Sequence, residues 1–399
     1  MVAHGASARV TAVRTLIPVA RPALGEREAD AARRAILSGW VSQGLEVAAF
    51  EREFAAAVDA SHACAVSSCT TALHLALVAF GVGPGDEVVT VSHSFIATAN
   101  AIRYCAATPV FVDVELDTFN VDVSQLEAAI GPRTRAILAV HQLGMPCDLR
   151  AITSIAGRHK LPVIEDAACA IGSEVRWDGA WQPIGRPHGD VACFSFHPRK
   201  LLSTGDGGML STRTDELDRR FRLLRQLGMS VPDTVRHQAS QVTFEEYLMV
   251  GFNYRMTDIQ AAIGREQVKR LPSLVARRRE LAARYQSAFR TSPGVTPPSE
   301  PEWARSNWQS YAVRVPRGRQ RAIMQALLDD GISTRRGVMN AHLEQAYPAG
   351  TWRVAPGHSL ERSEEAQDTA VVLPLFHDLD EGDQDRVIDA VTRAVSAHE

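Results

Sequence analysis

The feature that most constrains this chain is an alternation beginning after about residue 60. Short, almost wholly apolar runs at 88–91, 109–114, 136–140, 162–165, 191–196 and 208–211 are separated by stretches with helical spacing. A strand wetted on one face alternates apolar and polar residues, so unbroken apolar runs indicate strands covered on both faces. Their alternation with helices predicts a mainly parallel sheet and an α/β fold. At 399 residues the chain can fill such a core and carry a smaller unit besides. The expected organisation is an N-terminal arm over 1–23, a large domain over 24–264 and a small C-terminal α/β domain over 265–399. Ala29, Ala32 and Ile36 recur at helical spacing and predict a first helix over 26–37. The pattern changes after 265, with a helical segment at 274–292, a proline-rich loop at 296–301, a strand at 310–315 and helices at 319–329 and 383–397.

Hydrophobic residues make up 45% and charged residues 22%, which argues against long disorder or coiled coil. The net charge of −3 gives no basic face for nucleic acid, and no run of about 18 apolar residues offers a membrane span. Small molecules are the expected partners, and a soluble, cytoplasmic protein is the expected setting. Six cysteines (Cys64, Cys69, Cys105, Cys147, Cys169 and Cys193) form no CxxC pair and no zinc-like grouping with histidine, so no metal is expected.

Among 43 basic residues only three are lysines, Lys160, Lys200 and Lys269. Where a bare cation suffices this chain uses arginine, so a retained lysine marks a place where a primary amine is needed. Lys200 follows the apolar run 191–196 and precedes Gly205, Gly207 and Gly208, which places it at a strand's carboxyl end, where open α/β sheets bind ligands. Asp166 ends another apolar run. A carboxylate there suits a cofactor with a pyridine nitrogen, because it keeps that nitrogen protonated; the competing reading is a helix N-cap ahead of Ala167, Ala168 and Ala170. In "AVSSCTTALHLAL" a strand end meets a helix carrying Thr70 and Thr71, whose hydroxyls and free N–H groups suit a phosphate, or equally a simple cap. Phe95 is placed to stack on a planar ring or to join the core, and His141 stands at a strand end. Asn253 opens the polar stretch before a helix over 258–264.

Taken together, "SSCTTALHLAL", "SFIATANAI", "PVFVDVELDTFNVD", "VHQLGMPCDL", "VIEDAACAIGSE", "FSFHPRKLLSTGDGGM", "GFNYRMTDIQAAIG" and "LPLFHDL" resemble, in order and spacing, the DegT/DnrJ/StrS sugar aminotransferases. These are pyridoxal-phosphate-dependent enzymes of fold type I. The resemblance covers roughly residues 18–395 and implies a large domain with a mostly parallel sheet plus a smaller C-terminal α/β domain. It implies that Lys200 carries pyridoxal 5′-phosphate, with pyridoxamine phosphate as the alternate form, and that Asp166 pairs with the ring nitrogen. Phe95 falls at the stacking position, and Thr70, Thr71, Ser195 and Asn253 at the phosphate, Asn253 reaching over from a second subunit of a homodimer. Cys169 stands where many members carry Gln or His beside the ring oxygen, and a thiol is a weaker partner there.

The activity so implied is transfer of an amino group from glutamate or glutamine to a keto-sugar, most often nucleotide-linked, in amino-sugar biosynthesis. Arginine- and alanine-rich usage adds antibiotic biosynthesis as an expected setting. Arg335, Arg336 and His342 are the candidate substrate contacts, with His141 a further one. Competing readings are an aminotransferase on a keto-cyclitol, a cofactor-dependent sugar dehydratase, and a ligand-binding regulatory protein on the same fold.

Overall fold

The computed structural model describes residues 16–231, 241–242 and 244–397. Most of the predicted arm, residues 1–15, lies outside the described residues. The part that is described is anchored: Ile17 is buried and exchanges backbone hydrogen bonds with Gly331 and Ser333.

The apolar runs do form strands. The principal sheet contains β1 (His62–Val66), β2 (Glu87–Val91), β3 (Thr108–Val112), β4 (Thr134–Val140), β5 (Val163–Asp166), β8 (Val191–Ser195), β9 (Gly208–Thr212) and β13 (Arg353–Val354). Its spatial order is β1-β9-β8-β5-β4-β2-β3-β13. Every adjacent pair from β8 to β13 is parallel, and β9 alone runs against both neighbours. β13 has only two residues and shows no sequence periodicity; it was not anticipated. It is held by Arg353, which bonds Glu87 at the start of β2.

Helices α1 (Glu26–Leu37), α2 (Leu45–Ala57), α3 (Cys69–Ala79), α4 (Ala97–Tyr104), α5 (Leu126–Ala129), α6 (Leu149–His159) and α7 (Asp215–Arg225) surround this sheet. The segments read separately at 258–264 and 274–292 are one 32-residue helix, α8 (Asp258–Phe289). It runs through Pro272, although proline removes one backbone donor and so leaves the carbonyl four residues back without its helical partner. Burial along the flanking turns holds the helix together: Val268, Leu271, Leu274 and Val275 join the core under the principal sheet.

The second half of α8 enters another core, where Tyr285 and Phe289 meet Tyr311, Val313, Ile323, Leu327, Leu373 and Val391. That core is built on the antiparallel sheet β11 (Tyr311–Arg314), β14 (Ala370–Leu373) and β12 (Arg335–Arg336). Helices α9 (Gln320–Asp329), α10 (Glu361–Thr369) and α11 (Glu381–Ser396) accompany it. A third sheet joins β6 (Glu174–Trp177), β7 (Ala180–Pro183) and β10 (Ala304–Arg305), its hairpin closed by Asp178 and Gly179, both at positive φ.

Candidate active site

A cleft of about 740 Å³ opens along the carboxyl ends of the parallel strands. Its outer wall comes from the segment 334–339 and from β14 of the second core. This is the sheet edge where ligands bind in open α/β folds. Of the expected site residues, Thr70, Phe95, His141, Asp166, Cys169, Ser195, Lys200, Arg335 and Arg336 border it. Thr71, Asn253 and His342 do not.

Lys200 follows β8, and its Nζ donates to Cys169 Sγ at 3.0 Å, its one hydrogen-bond partner among the described residues. Burial disfavours the ammonium, but the sulfur of Cys169 and then the carboxylate of Asp166 outweigh it and hold the Lys200 pKa above the usual lysine range. Asp166 ends β5 next to Glu165, and strand alternation sends the two acids to opposite faces. Glu165 is fully buried and accepts from the backbone N–H groups of His188 (2.9 Å) and Gly189 (2.8 Å) and from His141 at 3.1 Å. Those donors keep it ionised against burial. His141 accepts at Nδ1 from the N–H of Cys147 (3.1 Å), so both its ring nitrogens are engaged within the protein although it borders the cleft.

No helix begins after Asp166, so the N-cap reading fails. The chain turns instead, Oδ1 accepting from Ala168 N at 3.2 Å. Oδ2 accepts from the hydroxyl of Thr98 at 2.7 Å, and Thr98 in turn is 2.8 Å from Ser94 Oγ. Thr98 is the partner of Asp166 that sequence reasoning missed. The available signal was two hydroxyls four residues apart in "SFIATANAI", which the turn leading into α4 brings together.

Helix α3 begins with Ser68 as N-cap, and Thr71 completes a capping box: Ser68 Oγ accepts from Thr71 N at 3.2 Å and Thr71 Oγ1 accepts from Ser68 N at 3.1 Å, while the Thr71 hydroxyl donates to Ser68 O at 2.7 Å. The hydroxyl expected at a phosphate is therefore committed to the cap. What faces the cleft is Thr70, with the N–H groups of Cys69 and Thr70 at the positive end of the helix dipole. Gly208 makes this approach possible, since a Cβ there would lie 2.4 Å from the Ser68 carbonyl. Ser195 closes the same corner from β8. Burial pushes the thiols of Cys69 and Cys193 well above the ordinary range, so both remain protonated.

Phe95 is 60% exposed at the cleft, which settles its placement against the core. Asn253 is exposed and outside its own chain's cleft. His342 is held away from it between Ser92 Oγ (2.6 Å) and Glu364 Oε1 (3.4 Å). The outer wall carries the guanidinium-bearing residues Arg335 and Arg336, and Arg199 borders the cleft beside Lys200.

The donor set fits pyridoxal phosphate. A helix N-terminus flanked by the hydroxyls of Thr70 and Ser195 suits the phosphate, a buried carboxylate held on its far side by Thr98 suits a pyridinium, an exposed phenyl face suits the ring, and Lys200 supplies the amine. Fold and site thus define a pyridoxal-phosphate-dependent transferase. The chain belongs to the DegT/DnrJ/EryC1/StrS aminotransferase family, whose sequence profile matches residues 22–392. It is 39% identical over 383 residues to the spore coat polysaccharide biosynthesis protein SpsC of Bacillus subtilis (strain 168), covering 94% of this chain and 96% of that one. Among solved structures, it is similar to the aminotransferase TlmJ from Streptoalloteichus hindustanus (TM-score 0.87, 36% identity, 96% of this chain and 100% of that one). It is also similar to S. venezuelae DesV, solved with a ketimine intermediate (TM-score 0.84, 35% identity, 95% and 98% covered). The protein is an aminotransferase that uses pyridoxal phosphate.

Proposed function

We propose that the chain transfers an amino group from glutamate or glutamine to a keto-sugar carried on a nucleotide. The observation that carries the acceptor assignment is the outer wall. Arg335 and Arg336 on that wall, with Arg199 beside Lys200, border a cleft of about 740 Å³, and guanidinium groups pair with phosphate oxygens in bidentate fashion. Such a wall suits a diphosphate better than a free sugar. The polysaccharide role in the name of SpsC is in keeping with a sugar acceptor.

When bound, pyridoxal phosphate supplies an electron sink for the charge left when a Cα proton departs. The chain's own residues then have separable tasks. Thr70, Ser195 and the N–H groups of Cys69 and Thr70 would hold the phosphate. Asp166, oriented by Thr98, would keep a proton on the ring nitrogen. Lys200 Nζ, released when the amino donor enters, would take the Cα proton and return it on the acceptor side. Cys169 holds that amine within the cleft. The reading extends to a homodimer in the cytoplasm, with Asn253 completing a second subunit's site; its exposure and its absence from the lining of its own chain's cleft support that role.

The test supplies ¹⁵N-labelled glutamate or glutamine with a nucleotide-linked keto-hexose, the free keto-hexose, or a keto-inositol. Label in the nucleotide-linked product, lost in Lys200→Ala, is the expected result. Preference for the free sugar or the inositol overturns the nucleotide assignment, and a deoxygenated, nitrogen-free product overturns transamination.

A further inference from the structure

The residues just before β11 hold a feature that the reaction described above leaves unused. Asn307 and Gln309 flank Trp308, which takes a φ of 51°, a left-handed conformation that is costly for a bulky residue. Asn307 is fully buried, and its Nδ2 donates to the carbonyls of Cys169 (2.8 Å) and Ile171 (2.7 Å). Its Oδ1 accepts from Gln309 N at 2.8 Å, and its own N–H donates to Ser173 Oγ at 2.9 Å. Gln309 borders the cleft, and its Nε2 donates to the carbonyl of Arg199 at 2.8 Å.

That carbonyl belongs to the peptide unit whose nitrogen is that of Lys200, and Lys200 N donates to His197 O at 2.8 Å. Both ends of the peptide on which the catalytic lysine hangs are therefore fixed, one of them by Gln309. Behind it, the buried guanidinium of Arg278 donates to the carbonyls of Gln309 and Leu375, each at 2.8 Å, and so ties the corner to α8. The fit leaves no slack. A Cβ on Gly144 would lie 2.1 Å from Asn307 Oδ1.

We infer that Gln309 is a positioning residue for the transamination, acting with Asn307 to set the Lys200 amine against Cys169 by pinning the backbone of both. The Nζ to Sγ contact of 3.0 Å joins two side chains whose main chains are gripped by one corner two residues apart. Side-chain placement by a fixed peptide matters because a misplacement of about 1 Å can cost about a hundredfold in rate. The corner comes from the part of the chain that also supplies the cleft's outer wall, so it links the acceptor's wall to the lysine. This inference rests on Lys200 being the residue that carries the cofactor.

Gln309→Met removes the donor at nearly constant length, and Gln309→Glu keeps an acceptor but turns it toward the Arg199 carbonyl. Two readouts are followed. One is the rate at which pyridoxal phosphate attaches to the apoprotein, seen as growth of the absorbance of the lysine-bound cofactor, which needs no amino donor. The other is the single-turnover rate with L-glutamate. Both are expected to fall about ten- to a hundredfold in Gln309→Met and at least as far in Gln309→Glu, with the KM for the donor changed less than about threefold. The pH midpoint of the lysine-bound absorbance is expected to shift as the amine loses its fixed setting. Rates within twofold of wild type overturn the inference, as does a loss that only follows a lowered fraction of folded protein in thermal denaturation. Absence of lysine-bound absorbance in the wild type, or its persistence in Lys200→Ala, would instead remove the Lys200 assignment itself.

Discussion

Gly208→Ala tests the phosphate corner by collision. Gly208 pairs with Val66 on one side and Ser195 on the other, directly beneath the start of α3. An added Cβ would sit 2.4 Å from the carbonyl carbon and oxygen of Ser68 and 2.7 Å from Cys69 N. Carbon atoms rest at about 3.5 Å or more, so strand and helix start must part by roughly 1 Å. These are backbone atoms, and no rotamer can absorb the change. Overpacking of this kind costs about 1–3 kcal/mol of stability. The same displacement draws the N–H groups of Cys69 and Thr70 away from the phosphate. Losing one hydrogen bond to a charged group, about 1.5–3 kcal/mol, weakens cofactor binding by about ten- to a hundredfold. The assay is titration of the apoprotein with pyridoxal phosphate by absorbance, with urea denaturation in parallel. Gly205→Ala is the control: no atom lies within 4 Å of its Cβ, but its φ is +85°. It should lower stability by about 1 kcal/mol through backbone strain and leave cofactor affinity unchanged. A Gly208→Ala protein with wild-type affinity and denaturation midpoint would refute the close approach of α3 to β9.

Two further outcomes are expected. Thr98→Val keeps the shape beside Asp166 but removes the 2.7 Å hydrogen bond, and should slow single-turnover transamination about tenfold with little change in donor KM; an unchanged rate would show that the carboxylate is oriented without it. His93 is buried and its pKa is pushed down to about 4 from 6.5, chiefly by burial. Its folded pKa lies below the unfolded one, so the unfolded chain takes up the proton first and stability falls as pH drops from about 6.5 toward 4, by up to roughly 3 kcal/mol. Urea midpoints measured across that window should slope less steeply in His93→Gln than in wild type, and equal slopes would contradict the assignment.

The parallel sheet and the Lys200 and Asp166 positions were legible because each has a strong local cause: unbroken apolar runs, a scarce amine, an acid at a strand end. What escaped was set by partners distant in sequence or by competition between local bonds. Thr71 was read as a phosphate ligand because its type is right, yet its hydroxyl is taken by Ser68 three residues away. Asp166 has the residues of a helix N-cap after it, but the cleft edge breaks the chain into turns there. His342 was expected at substrate and is held by Ser92, 250 positions earlier. The Asn307 and Gln309 corner carries no motif, since its targets are main-chain carbonyls, and any sequence can present those. The break expected within α8 did not occur, because burial on both sides of Pro272 outweighs the bond lost there.

β13 has a consequence for how the protein comes to be made. The eighth strand of the principal sheet arrives at Arg353, while Ile17 from the other end of the chain is buried in the core of the later residues. The sheet of the first core lacks its last strand until Arg353 has been made, and the second core waits for residues that follow it. A fragment ending at 264 would present the bare edge of β3, with Glu87 stripped of Arg353, and exposed strand edges recruit other chains. Ile17 thus closes the core of the later residues and Arg353 the sheet of the earlier ones, so a chain still short of Arg353 exposes an edge on which another copy can pair.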